Sequence, residues 1–199
     1  MVSLSDFIII FAPSFGLNLI PFAGPSNLFI ASTLAISLGS TDPLSLVFIG
    51  GVLALGSALA KGIHYMVTFF ISGRFLKNRR QKLDAGGSRL RRWAFPLLFI
   101  AAATPIPDEP IVIALGLMKY SPSKFFVAYF LGKFGVGVMG AFMGAFAVVR
   151  FGDFMSLEAM AAMSIAMTIV VTILLFKVDL GKLAQKYLHR KPKADQETK

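Results

Sequence analysis

Long apolar stretches fill nearly the whole chain, and they constrain its fold more than any other feature. Five can be traced, at about 7–38, 44–72, 94–118, 122–149 and 155–176. Runs of roughly 18 or more apolar residues read as membrane spans. Across 199 residues the chain is 56% hydrophobic, with a mean hydropathy of +0.73. Soluble domains are usually about 45–50% apolar, even when glycine is counted in. The expected class is therefore an all-α integral membrane protein. Residues 1–176 form one membrane domain, and residues 177–199 form a basic tail.

Two of the five stretches are interrupted. The first contains Pro13, Gly16, Asn18, Pro21, Gly24, Pro25, Ser26 and Asn27. The third contains Thr104-Pro105-Ile106-Pro107-Asp108-Glu109-Pro110. Each proline removes a helical hydrogen bond and clashes with the preceding turn. Both stretches are expected to be re-entrant hairpins, each made of two half-helices. Pro21, Pro25, Pro105, Pro107 and Pro110 would lie at their tips, shielded by protein, because lipid cannot satisfy non-helical backbone.

Charge sets the expected orientation. The segment 73–93 carries Arg74, Lys77, Arg79, Arg80, Lys82, Arg89, Arg91 and Arg92 against one acid, Asp84. The tail after Phe176 carries seven Lys or Arg and three acids. Positive loops stay on the cytoplasmic side. An even number of crossings must then separate these segments, yet three apolar stretches lie between them, so the third stretch does not cross. By the same logic the first stretch enters from outside. Hairpin plus span then occurs twice, in opposite orientations, followed by one more span. Inverted repeats with broken helices mark secondary transporters, with the site at the breaks. Thr41-Asp42-Pro43 and Tyr120-Ser121-Pro122 open the two following spans alike, each with proline at the first helical position. Leu59-Ala60-Lys61 echoes Leu131-Gly132-Lys133.

The expected location is the cell (plasma) membrane, multi-pass, with the C-terminus cytoplasmic. Asp6 is the first charge, and no Lys or Arg precedes the apolar Phe7-Ile8-Ile9-Ile10-Phe11. The start therefore does not read as a cleavable signal peptide.

Asp108 and Glu109 are the strongest candidates for chemistry, being the only acids well inside an apolar stretch, since Glu158 stands near the start of the fifth. A charge at the bilayer centre costs about 2.5–3.5 kcal/mol on insertion scales, so it usually faces a cavity or a partner. The plainer alternative is a pair of acids favouring the start of the second half-helix. Lys61 and Lys133 fall within the second and fourth stretches, ten or more residues from each expected helix start. With the acids they read either as an anion site or as purely structural ion pairs. His64 lies three residues after Lys61 on the same helical face, as a ligand-site or a packing residue. Asn18 and Asn27 would hydrogen-bond either a ligand or the freed backbone of the first hairpin. Gly140-x-x-x-Gly144 has the form of a close helix-packing motif.

Other classes find little support. With no cysteine and only His64 and His189, no metal centre or cofactor is expected. Asp84-Ala85-Gly86-Gly87-Ser88 lacks the Gly-Lys-Ser/Thr of a P-loop. No nucleophile–base pair suggests an enzyme. The net charge of +10 fits cytoplasmic loops and anionic lipid headgroups better than nucleic acid. Expected partners are membrane lipids, with anionic headgroups at the basic connector, and a second copy of the chain in a homodimer.

The order of hairpin, span, basic connector, proline-rich hairpin, glycine-rich span and final span resembles the DedA family, also called the VTT or SNARE-associated membrane proteins. The local matches are Gly56-Ser-Ala-Leu-Ala-Lys-Gly-Ile-His-Tyr65, Gly73-Arg74, Pro105-Ile106-Pro107, Ala114-Leu-Gly-Leu-Met118 and Phe125-Phe-Val-Ala-Tyr-Phe-Leu-Gly132. They lie within about residues 15–176. Bacterial members typically carry an acid near a Pro-Gly-Glu motif in the first hairpin, where this chain has Gly24-Pro25-Ser26-Asn27. They carry an acid where Lys61 falls, and arginines flanking the second hairpin's proline, where this chain has Ala102 and Pro110. The resemblance implies a lipid or polyprenyl-phosphate translocase or scramblase, in some members proton-dependent. The alternatives are a transporter of a small ion or drug, or a non-transporting membrane scaffold.

Overall fold

A computed structural model describes residues 4–21, 26–75, 93–104 and 108–156, together with positions 158, 159, 162, 163, 166 and 170. Most of the expected basic connector, final span and tail, with Pro25, Pro105 and Pro107, lie outside the described residues. The protein is all-helical, and no strand occurs among the described residues. The helices whose bounds fall among the described residues are, in order, α1 (Leu4–Leu19), α2 (Asn27–Ser37), α3 (Pro43–Phe75), α4 (Trp93–Ala102), α5 (Glu109–Leu117) and α6 (Pro122–Phe151). Two segments, Pro43–Ser72 and Pro122–Phe151, are long and apolar enough to cross a membrane.

The helix breaks are narrower than the sequence suggests. Helix α1 runs through Pro13 and Gly16 and ends only at Leu19. Ser26 then caps α2, its hydroxyl accepting from the Leu28 N–H. Pro110 stands in the first turn of α5, where its missing N–H removes no helical bond. Pro21 and Pro110 are both exposed, which corrects the expectation that these two are shielded by protein. Each flanks a break.

Helices α3 and α6 are antiparallel. Near one end Gly50 lies against Val138 and Gly137. Near the other, the rings of Tyr65 and Phe125 stack with centroids 4.2 Å apart. The shorter helices pack on this pair. Helix α1 runs parallel to α3, with Ser14 at Leu53 and Leu19 at His64. Helix α2 returns, with Asn27 at Ser57, and its start lies beside α6, where Leu28 meets Gly140 and Ser32 meets Gly144. A side chain at either glycine would collide with α2 backbone, so the Gly-x-x-x-Gly spacing sets this contact. Helix α5 runs along α3, with Glu109 at Lys61 and Gly116 against Tyr65 and Thr68.

Two local arrangements occur twice. Gly56 of α3 is met by Phe11 O, Ser14 Cβ and Phe15 N, and Gly132 of α6 is met by Phe99 O, Ala102 Cβ and Ala103 N. The same three atom types at the same i, i+3, i+4 spacing seat α1 on α3 and α4 on α6. The turns that follow α2 and α5 also match bond for bond. Leu38 N donates to Leu34 O, Gly39 N to Ile36 O and Ser40 N to Ala35 O. Met118 N donates to Ala114 O, Lys119 N to Gly116 O and Tyr120 N to Leu115 O. Gly39 (φ 58°) and Lys119 (φ 50°) occupy the left-handed position, as this helix ending requires.

Apolar packing forms two clusters. One joins Ile10, Ala31, Ala35, Leu46, Ile49, Leu53 and Ala141. The other joins Tyr65, Leu98, Val112, Leu115, Phe125 and Tyr129. Between Leu53 and Tyr65 on α3 lie Ser57, Lys61 and His64, at i, i+4 and i+7, on one face. Most of the buried polar side chains among the described residues gather along this strip.

Candidate functional site

Helix α3 positions Lys61 and α6 positions Lys133, facing each other across the antiparallel pair. The break between α4 and α5 places Asp108 and Glu109 between them. The four residues are 4–7% exposed: Lys61 4%, Asp108 5%, Glu109 4% and Lys133 7%. Lys61 Nζ donates to Glu109 Oε1 and lies 3.9 Å from Asp108 Oδ1. Lys133 Nζ is 3.0 Å from Asp108 Oδ2. The same oxygen accepts from the Tyr129 hydroxyl at 2.6 Å, and the Lys133 ammonium sits 5.2 Å from the Tyr129 ring centroid. Two cations and two carboxylates balance, which offsets the desolvation of each ion only because the pairs are close and hydrogen-bonded.

Asp108 is not a simple helix cap. Asp108 precedes α5, yet its carboxylate makes no capping bond to the helix backbone. It turns inward to Tyr129 and Lys133 instead. The plainer sequence reading of this residue gives way to ion pairing.

His64 lies beside the four. Its side chain is 18% exposed. Nε2 is 2.9 Å from the carbonyl oxygen of Leu19, the last residue of α1. Nδ1 is 3.8 Å from Glu109 Oε1. One side chain thus stands between the end of α1 and the start of α5.

Asn18 and Asn27 belong to a separate neutral network. Asn18 Nδ2 donates to Ser14 O at 2.8 Å and to Asn27 Oδ1 at 3.3 Å. Asn27 Nδ2 donates to Ser57 Oγ at 2.6 Å. Ser14 and Ser57 both donate to Leu53 O, at 2.6 and 3.0 Å. This network ties the first helix break to α3 with uncharged bonds, and its partners are protein groups. Sequence reasoning missed Ser14, Ser57 and Tyr129. Ser57 stands four residues before Lys61, a spacing that would have placed it on the same face. Tyr129 stands four residues before Lys133, so the same spacing would have placed it beside that lysine.

The arrangement gives two pinned elements of different kinds. The α1–α2 break is held by neutral hydrogen bonds. The α4–α5 break is held by charges. An anion entering between the lysines would compete with Asp108 and Glu109 and leave the neutral network untouched. Comparison of the chain with protein-family models, with curated proteins and with solved structures gives no match.

Proposed function

We propose that the chain is a multi-pass transporter of the cell membrane that moves an anionic phosphate-bearing lipid headgroup, of a phospholipid or polyprenyl phosphate, across the bilayer. The observation that carries this reading is the buried Lys61–Glu109–Asp108–Lys133 cluster, set where two helix breaks meet two long apolar helices. Buried charge of this kind is expensive within a membrane and marks substrate or proton pathways.

The distribution of surface supports a membrane setting. Lys61, Asp108, Glu109 and Lys133 are buried, while Phe70, Phe146 and Val149 are 74, 60 and 67% exposed. On this reading those side chains face acyl chains. The two broken segments act as re-entrant hairpins, entering from opposite sides and related as an inverted repeat. The paired Gly56 and Gly132 seats and the matching turns at Gly39 and Lys119 support that relation. The C-terminus is cytoplasmic by the charge argument, and the resemblance to the DedA family points to the same substrate class. Lys61 and Lys133 neutralise the phosphate, and its arrival displaces the carboxylates and is linked to uptake of a proton within the cluster.

The test is reconstitution into proteoliposomes with a fluorescently labelled anionic phospholipid. Flipping above that of protein-free vesicles is expected, without uptake of soluble anions, and Lys61→Met or Lys133→Met should reduce it at least tenfold. Soluble uptake without flipping would favour the small-ion transporter. Neither activity would leave the scaffold.

A further inference from the structure

The proposed transporter needs a group that answers when an anion takes Lys61 from Glu109. We infer that His64 is that group: Glu109 exchanges Lys61 for a protonated His64 when the phosphate anion binds, so that proton and headgroup enter together. This inference rests on the anion-site reading above and assigns the proton to a particular atom.

The geometry singles out Nδ1. Leu19 is the last residue of α1, so its carbonyl lacks an intrahelical partner. A carbonyl only accepts, so the hydrogen on Nε2 is assigned by this 2.9 Å bond. In the neutral ring the remaining lone pair is then on Nδ1, which faces Glu109 Oε1 at 3.8 Å. Two acceptors opposed in this way do not bond. A proton that adds to this ring adds at Nδ1, and it turns that atom into a donor aimed at the carboxylate. Histidine is the side chain whose charge changes between pH 5 and 8. At 18% exposure, His64 is the member of the group most open to solvent.

The other groups around His64 fit this role. On its own helix Lys61 lies three residues away, and Thr68 Oγ1 donates to the His64 carbonyl. From α5 it faces Glu109, and from α1 the uncharged Leu19 carbonyl. Lys133 of α6 reaches the cluster through Asp108. Protonation leaves two lysines and one imidazolium against two carboxylates. The cluster then carries one net positive charge, which a singly charged phosphodiester neutralises. Only a small movement of Glu109 is needed, and Leu19 ties the same histidine to the neutral, fixed side of the molecule.

The sign of the effect follows. Protonated His64 receives Glu109 and frees Lys61, so anion binding strengthens as pH falls. The probe is dihexanoyl phosphatidylglycerol in neutral detergent, whose phosphodiester stays singly charged across the range, titrated by calorimetry from pH 8 to 5.5 into the full chain. Affinity should rise about tenfold, within the usual range of coupling between sites. His64→Lys, a permanent cation, should bind at pH 8 as tightly as the wild type does at pH 5.5. His64→Gln, never charged, should bind weakly throughout, and both profiles should be flat. A histidine that merely packs would not give opposite effects with the same flattening. Unchanged pH dependence in both variants would overturn the exchange and leave the anion site standing, whereas no binding by the wild type would overturn both. Deacylated glycerophosphoglycerol separates the sources of the anion: weaker binding than the lipid assigns the site to lipid, and equal binding assigns it to soluble diesters.

Discussion

Lys133 and Asp108 meet at 3.0 Å with Tyr129 on the same carboxylate oxygen, and that shared oxygen makes the pair a sharp test of buried charge. Removing one partner strands the other in an apolar interior, which typically costs 3–5 kcal/mol. Lys133→Met should lower unfolding stability in detergent by about that amount. Adding Asp108→Asn, whose amide oxygen still accepts from Tyr129, should restore about 1–3 kcal/mol through coupling. Strict additivity in the double-mutant cycle would mean the ion pair contributes nothing. In the proposed exchange, Glu109→Gln removes the charge that passes between Lys61 and His64. It should flatten the pH dependence of transport while the protein still folds, as measured by flipping in proteoliposomes between pH 5.5 and 8. A full pH response in that variant would take Glu109 out of the proton pathway.

Helices in this protein are placed by what their ends and glycines permit. Gly39 holds φ 58° in the turn after α2, where a side chain costs roughly 1–2 kcal/mol. Gly39→Ala should therefore destabilise by about 1 kcal/mol, read as a lowered midpoint of thermal unfolding. The contact of α2 with α6 is stricter, since Gly140 and Gly144 lie against the backbone of Leu28 and Ser32. Gly144→Val should separate these helices and lower stability by at least 2–3 kcal/mol, because backbone cannot yield as a flexible side chain does. Gly135, which has nothing within 4 Å of its would-be Cβ, is the control: Gly135→Ala should be neutral or stabilising, given alanine's helix propensity. Equal losses at the two sites would remove the packing explanation. The Gly-x-x-x-Gly spacing was legible in the sequence, but which of the glycines in α6 touch backbone was not.

At the scale of the whole molecule, two apolar clusters flank a polar strip, and large apolar side chains cover the outside. The proposed membrane topology puts residues 73–93 and the tail after 176 on one face, and Asp42 and Asp153 on the other. The chain has no cysteine, so single cysteines can be introduced without background. Cysteine at position 84 should react with impermeant maleimide only from the cytoplasmic side, and cysteine at 42 only from outside. Labelling of both from one side would remove the odd number of crossings between them.

The sequence by itself determined the helical class, the two long apolar helices and the two broken segments, because periodicity, proline and glycine act locally. It also singled out Lys61, Lys133, Asp108 and Glu109, since isolated charges in apolar stretches stand out at any distance. Which charge meets which was settled only in three dimensions. Lys61 and Lys133 are residues 19 and 12 of their helices by the bounds Pro43–Phe75 and Pro122–Phe151, so the echo of Leu59-Ala60-Lys61 in Leu131-Gly132-Lys133 does not put them at equivalent depths. The antiparallel packing of α3 on α6 brings them to one carboxylate pair. Tertiary structure also turned Asp108 from a helix cap into an ion-pair partner, gave Asn18 and Asn27 to a neutral network, and exposed Pro21 and Pro110. The physical reason is distance along the chain. The partners of Asp108, Glu109 and Asn27 on α3 and α6 lie 21 to 48 positions away, and only the crossing of helices, set by glycines and backbone turns, decides which distant side chains share a face.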